Sequence, residues 1–197
     1  PVRSMRELAD YARANPGKLN FASGSASSRV AGEMFKAMAG VDMVNVTYRS
    51  NPLGITDVIG GVAQVMFVDA TTSMPQAREG RVRAIGVTSR QRVSMMPDVP
   101  TVEEQGFPGY EMLSWNAMYA PAGTPPEIVT RVNGLVNEIM ARPAVRERLT
   151  ASGMVLRPGS PEDLARFQAS EIEKWKRLCA NPGLNCNEGR PGWCAGS

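Results

Sequence analysis

From Ser4 to Val87 the chain alternates helix-forming and strand-forming segments at intervals of about twenty residues, and this rhythm is what most constrains the fold. Antiparallel strands can be joined by tight turns, whereas parallel strands need a helical crossover. Ser4 and Glu7 form a capping box ahead of Met5, Leu8, Ala9 and Ala12, and Asn15-Pro16-Gly17 ends that helix. Leu19 to Ala22 reads as a short buried strand. A small-residue loop follows, and from about Ser28 a helix runs to Ala39, closed by Gly40. Val44, Val46 and Tyr48 alternate with polar residues as a strand, and Asn51-Pro52 starts a helix, with Asn51 as its N-cap, that ends at Gly60-Gly61. Val65–Val68 is a continuous apolar strand, Thr72 to Arg78 a short helix, and Val82 to Val87 another strand. Continuous rather than alternating apolar strands suit a sheet covered on both faces. The fold class expected is therefore α/β with a mostly parallel sheet.

Beyond Arg90 the pattern changes. Arg90 to Pro100 reads as loop, and Thr101 with Glu104 is a second capping box, closed by Gly106. Tyr110 to Ala120 is an extended apolar stretch around Trp115. Thr124 as N-cap, Pro125 at the first helical position and Glu127 predict a long helix striped by Ile128, Val132, Leu135, Val136 and Ile139. A helix from Pro143 to Gly153, a short strand Val155–Arg157 and a final helix from Ser160-Pro161 to about Arg177 follow. No internal repeat is present. The boundaries expected are one α/β lobe over about 1–112, a helical portion over 113–178 and an irregular tail over 179–197.

Composition narrows the chemistry. There is no histidine, which removes Ser-His-Asp, Cys-His and His-ligated zinc mechanisms. The three cysteines, Cys179, Cys186 and Cys194, all lie in the tail at spacings that match no zinc or redox motif. The tail reads as an irregular extension, with a metal or disulfide role for its cysteines as the alternative, and no metal or cofactor is expected. The formal net charge is +3, with 22 basic residues scattered among 19 acidic ones, a solvated surface rather than a nucleic-acid footprint. No apolar run is long enough to span a bilayer. The chain begins at Pro1 without a signal peptide, which fits a removed leader or a piece of a longer protein.

The strand–loop–helix junction Phe21-Ala22-Ser23-Gly24-Ser25-Ala26-Ser27-Ser28-Arg29 is the strongest binding candidate. Small residues admit close approach to the backbone, and the first amides of a helix attract a carboxylate or phosphate. Its glycine spacing and lack of lysine rule out a P-loop. The same residues also fit an ordinary N-cap loop. Tyr48, Asp69 and Thr71 occupy comparable strand ends; Tyr48 fits a rim aromatic or core packing, and Asp69 fits a ligand contact or a helix cap. A serine hydrolase using Ser23, Ser25 or Ser27 would need Lys18 or a carboxylate as base.

Several motifs then converge. Asn15 to Gly24 (NPGKLNFASG), Gly32 to Val41 (GEMFKAMAGV), Val46-Thr47-Tyr48-Arg49, Leu53 to Phe67, Arg83 to Ser89, Pro97 to Val102 (PDVPTV) and Trp115 through Ala120 to Pro125 (APAGTP) occur in order. Together they resemble the substrate-binding proteins of tripartite tricarboxylate transporters, the Bug or TctC type, over about residues 1–178. The resemblance implies a type II periplasmic-binding-protein fold, with one nearly complete lobe (1–112) and the C-terminal part of the other (113–178). It implies a periplasmic receptor, not an enzyme. The receptor would hold a di- or tricarboxylate or an acidic amino acid between its lobes and deliver it to a membrane permease. The second-lobe ligand loop corresponds to Ser23, Gly24, Ser25, Ala26, Ser27, Ser28 and Arg29, with Tyr48, Asp69 and Thr71 on the same cleft. Three departures stand out: the family's N-terminal portion has no counterpart here, Arg29 and Val68-Asp69 replace a common histidine and Asp-Asn pair, and the tail 179–197 is foreign to the family. Because type II lobes also occur in ligand-sensing transcription regulators, an effector domain is the alternative reading.

Overall fold

The structure, a computed structural model, describes residues 2–179. The tail expected to be irregular therefore lies, after its first residue, outside the described residues. The chain divides into two compact units, with the break between Ser114 and Trp115.

In the first unit the elements run α1 (Met5–Ala14), β1 (Asn20–Ser23), α2 (Ala26–Ala39), β2 (Val44–Thr47), α3 (Asn51–Ile59), β3 (Val65–Met66) and α4 (Ala70–Arg78), then a 3-10 turn at Glu103–Gln105. The sheet order is β2-β1-β3 and every pairing is parallel. Phe21 faces Asn45 on one side and Val65 on the other. The α/β class with a parallel sheet is the one the alternation predicts.

Local chemistry explains most boundaries. The Ser4 hydroxyl accepts from the Glu7 amide (3.1 Å), and Thr101 and Glu104 cap one another reciprocally at 2.7 and 3.0 Å. Gly40 closes α2 in the left-handed conformation. Other boundaries shift. α2 begins at Ala26 rather than near Ser28, because Ser25 serves as its N-cap and accepts from the Ser28 amide at 3.1 Å. α3 is preceded by Ser50, not capped by Asn51, whose side chain is recruited elsewhere.

The strand expected over Val82–Val87 does not form; only an isolated parallel bridge joins Val87 to Thr101. Within this segment the Ile85 carbonyl accepts from a side chain, Gln105 Nε2, at 3.0 Å. Likewise β3 stops at Met66, two residues short of the apolar run.

The core of this unit is aromatic. Phe35 packs against Phe67 and Phe107 at centroid distances of 5.8 and 5.1 Å, and Phe67 lies 6.5 Å from Tyr110. Tyr110 is fully buried, and its hydroxyl donates to the Ala31 carbonyl at 2.8 Å. α2 sits tightly on β1 because Gly32 has no side chain: a Cβ there would lie 2.3 Å from the Phe21 ring.

The second unit holds α5 (Pro126–Ala141), α6 (Pro143–Ala151) and α7 (Pro161–Cys179). α5 starts one residue later than its sequence signals. Pro125 precedes it, Pro126 opens it, and the Thr124 hydroxyl donates back to Pro121 instead of capping. The strand expected at Val155–Arg157 is absent. Trp115 meets Phe167 edge-on at 5.4 Å, and Asn133 and Asn137 both donate to the Gly159 carbonyl. α5 and α6 bury no residue; Ile128, Val132, Leu135 and Ile139 remain exposed along one stripe of α5.

Candidate functional site

All candidate residues gather at the carboxyl edge of the three-stranded sheet, where α2, α3 and α4 begin. The three starts are tied to one another. Gly24 lies against the start of α3 so closely that a Cβ would sit 2.2 Å from the Ser50 carbonyl carbon and 2.3 Å from the Asn51 amide. Asn51 Nδ2 donates to Asp69 Oδ2 at 2.6 Å, joining α3 to α4. The Ser28 hydroxyl donates to the Phe67 carbonyl, joining α2 to the exit of β3.

Each predicted residue has a definite place in this rim. Ser23 is buried and donates to Asn45 Oδ1 at 2.7 Å, so its hydroxyl serves the β1–β2 contact. Gly24 is required by the neighbouring backbone, which fills the space that the sequence reading left for a ligand. Ser25 caps α2 and its hydroxyl also lies 3.1 Å from that of Ser27. Ser28 is buried, its hydroxyl used as above and its amide capped. The Arg29 amide is spent in the first helical bond, to the Ser25 carbonyl.

That leaves the amides of Ala26 and Ser27, which meet no acceptor among the described residues. Ser25 and Ala26 are exposed. On α3 the amides of Asn51 and Leu53 are likewise without an acceptor among the described residues, Pro52 between them has no N–H, and Ser50 makes no capping bond. Two helix starts with unpaired donors thus lie side by side, each carrying the positive end of a helix dipole.

Tyr48 and Asp69 are held within the rim. The Tyr48 hydroxyl donates to Asp57 Oδ2 of α3 at 2.8 Å, a bond to a carboxylate that raises its pKa. Asp69 caps α4, accepting from the Thr72 amide at 2.8 Å, the Thr72 hydroxyl, the Thr71 hydroxyl and Asn51. Burial pushes its pKa up, but the bonds from Thr71, Asn51 and Thr72 outweigh this and hold it below the usual carboxylate range. Of the two roles open to Asp69, the structure displays the cap. Thr71 is exposed and lies on the rim of a cavity of about 520 Å³ between α3 and α4. Residues 23–29 do not line that cavity. Lys18, the base a serine hydrolase would need, stands at the opposite end of β1 from Ser23, about 16 Å along an extended chain. Among the described residues no group of three acidic or sulfur ligands could hold a metal ion, and no helix is long and apolar enough to cross a membrane.

Asn51 is the site residue that sequence reasoning missed. Asn before Pro at a helix start reads as a cap, and only the neighbouring α4 start reveals its bond to Asp69.

Comparison with known proteins agrees with this architecture. A protein encoded in the tcbD-tcbE intergenic region of a Pseudomonas species is 38% identical over 189 residues, covering 94% of this chain and 56% of its own length. Protein BugT of Bordetella pertussis is 29% identical over 182 residues, covering 91% of this chain and 56% of its own length. The chain thus spans little more than half the length of these relatives. Among solved structures, an R. palustris protein with adipate superimposes with a TM-score of 0.87 at 31% identity, over 91% of this chain and 60% of that one. The periplasmic binding protein BugD gives 0.85 at 31% identity, over 93% and 63%. MatC from Rhodopseudomonas palustris with bound malate gives 0.82 at 30% identity, over 90% and 62%. The architecture is therefore that of a periplasmic binding protein. The family model described as the tripartite tricarboxylate transporter family receptor, TctC, matches residues 1–184, and the chain belongs to that family.

Proposed function

We propose that this chain is the larger part of an extracytoplasmic solute receptor that captures a small carboxylate-bearing solute and hands it to a tripartite tricarboxylate-type permease in the membrane. The observation that carries the reading is the pair of unpaired amides at Ala26 and Ser27, set beside the uncapped start of α3. Backbone donors at a helix start bind carboxylates without a counter-ion side chain. Adipate and malate, present in two structurally similar proteins, are the first ligands to test. Residues 1–112 serve as one lobe, and 113–178 contribute the closing helices of the other. Ser25, Ser27, Arg29, Tyr48 and Thr71 border the same rim and are the side chains placed to choose among solutes. The family membership supports a periplasmic location and favours a binding role over an effector domain or a hydrolase.

Isothermal titration calorimetry against malate, adipate, citrate and glutamate tests the proposal. One-to-one binding of at least one of them, weakened by substitution at Ala26, is expected. Absence of heat with all four, in a protein whose fold is verified by circular dichroism, counts against the receptor reading.

A further inference from the structure

The first unit carries a second concavity that the carboxylate site does not use. It is about 620 Å³ and lies at the far end of α4, between that helix's C-terminus, residues 80–84 and the loop 95–99. α4 starts at the rim described above and runs about 13 Å before reaching it, so the two sites sit at opposite ends of the helix.

Its chemistry is one-sided. Arg78, Arg81 and Arg83 line it, and no carboxylate does. Its apolar floor includes Met74, Met95 and Met96. The arginines are exposed. Arg83 Nη1 donates to the Val2 carbonyl at 3.0 Å, and Arg81 pairs with the solvent-exposed Glu79 at 3.0 Å. Arg78 has no ion pair among the described residues, which leaves its guanidinium available. Near the end of α4 the Pro75, Ala77 and Gln76 carbonyls accept from the amides of Glu79, Gly80 and Arg81.

We propose that this groove docks an acidic segment of a partner protein that presents an apolar anchor side chain flanked by carboxylates. Small-ligand pockets fix their cargo with convergent buried polar groups, and none lines this groove. Methionines make adaptable apolar floors for polypeptide partners, and arginine is the side chain best suited to bidentate contact with carboxylates. Three cations around an apolar floor complement one anchor with acidic neighbours on either side. The inference does not depend on the carboxylate-receptor reading, because calorimetry with free carboxylates reads a different site.

Fluorescence polarisation on the full chain tests it with three labelled peptides: acetyl-EELFEE-amide, acetyl-EEGGEE-amide and acetyl-KKLFKK-amide. The first should bind. The other two should bind at least about tenfold more weakly. Arg78→Glu with Arg81→Glu should reduce binding of the first by about tenfold or more, whereas the charge-matched pair Arg131→Glu with Arg146→Glu should change it by less than about twofold. Met96→Asp should abolish binding, with Met96→Ala giving a partial loss as the variant least disruptive to the fold. Equal losses from both charge pairs would mean only net charge is sensed and would overturn the proposal. So would equal binding of the peptide without an anchor. Tight binding to phosphatidylglycerol vesicles, lost in the Arg78/Arg81 variant and not competed by the acidic peptide, would reassign the groove to a membrane surface and likewise overturn it.

Discussion

Replacing Ala26 with proline removes one backbone donor while leaving the helix in place. Ala26 is the first helical residue of α2, the position where proline is favoured because its missing N–H has no intrahelical partner. Ser25 before it is extended, at φ −154° and ψ 163°, the conformation that a following proline prefers. The Ala26 amide meets no acceptor among the described residues, so no internal bond is lost. Stability should be unchanged or raised by up to about 1 kcal/mol through the unfolded chain. If that amide grips a solute carboxylate, its loss removes a hydrogen bond to a charged group, about 1.5–3 kcal/mol. The dissociation constant should then rise about 10- to 150-fold. Calorimetry on the parent, Ala26→Pro and Ala26→Gly (which keeps the N–H) gives the comparison, with thermal melts run in parallel. An Ala26→Pro protein that melts like the parent and binds its carboxylate within about twofold of it would remove the α2 amides from the recognition of anions.

Other outcomes follow from the same rim and from α5. Gly24→Ala should cost about 1–3 kcal/mol in urea denaturation, because the new methyl would overlap the Ser50–Asn51 backbone; a cost within experimental error means the loop yields freely. Asp69 has a folded-state pKa below its unfolded value, so its stabilising contribution is complete above about pH 4 and fades as pH falls through the depressed value. Asp69→Asn should therefore flatten the acid side of the stability curve, and an unchanged pH profile contradicts the assigned cap. The amides of α5 should exchange with deuterium faster than those of α2, since α5 buries nothing while α2 carries the fully buried Phe35; equal protection of the two helices argues otherwise. For the same reason Leu135→Ala, at a half-exposed position, should cost far less than the roughly 3–5 kcal/mol expected of Phe35→Ala, as read by denaturant titration.

What could be read in advance was local. The Ser4, Thr101 and Ser160 helix starts were legible because each is settled by a side chain and a backbone amide three residues apart. The parallel sheet was legible because the crossover helices announce it. Val82–Val87 forms no ladder beyond the Val87–Thr101 bridge, and the Ile85 carbonyl accepts from Gln105, twenty residues away, a partner that no local pattern announces. The candidate site divides in the same way. That residues 23–29, 48 and 69–71 share one edge follows from their strand-end positions. Which of their groups are still available does not: Ser23 answers to Asn45, Ser28 to Phe67 and Asp69 to Asn51, partners supplied only by the folded chain.

Gly24 and Gly32 together set where the first turn of α2 stands, one by abutting the next helix and the other by seating on the Phe21 ring. Both contacts work through the absence of a side chain, and Ser25, whose hydroxyl accepts from the Ser28 amide, adds the cap that starts the helix at that point. Grip and choice are thereby separable. On the proposed receptor reading, exchange of the exposed Ala26 side chain would alter which solute is accepted, while the main-chain amides held by Gly24, Ser25 and Gly32 would stay where they are.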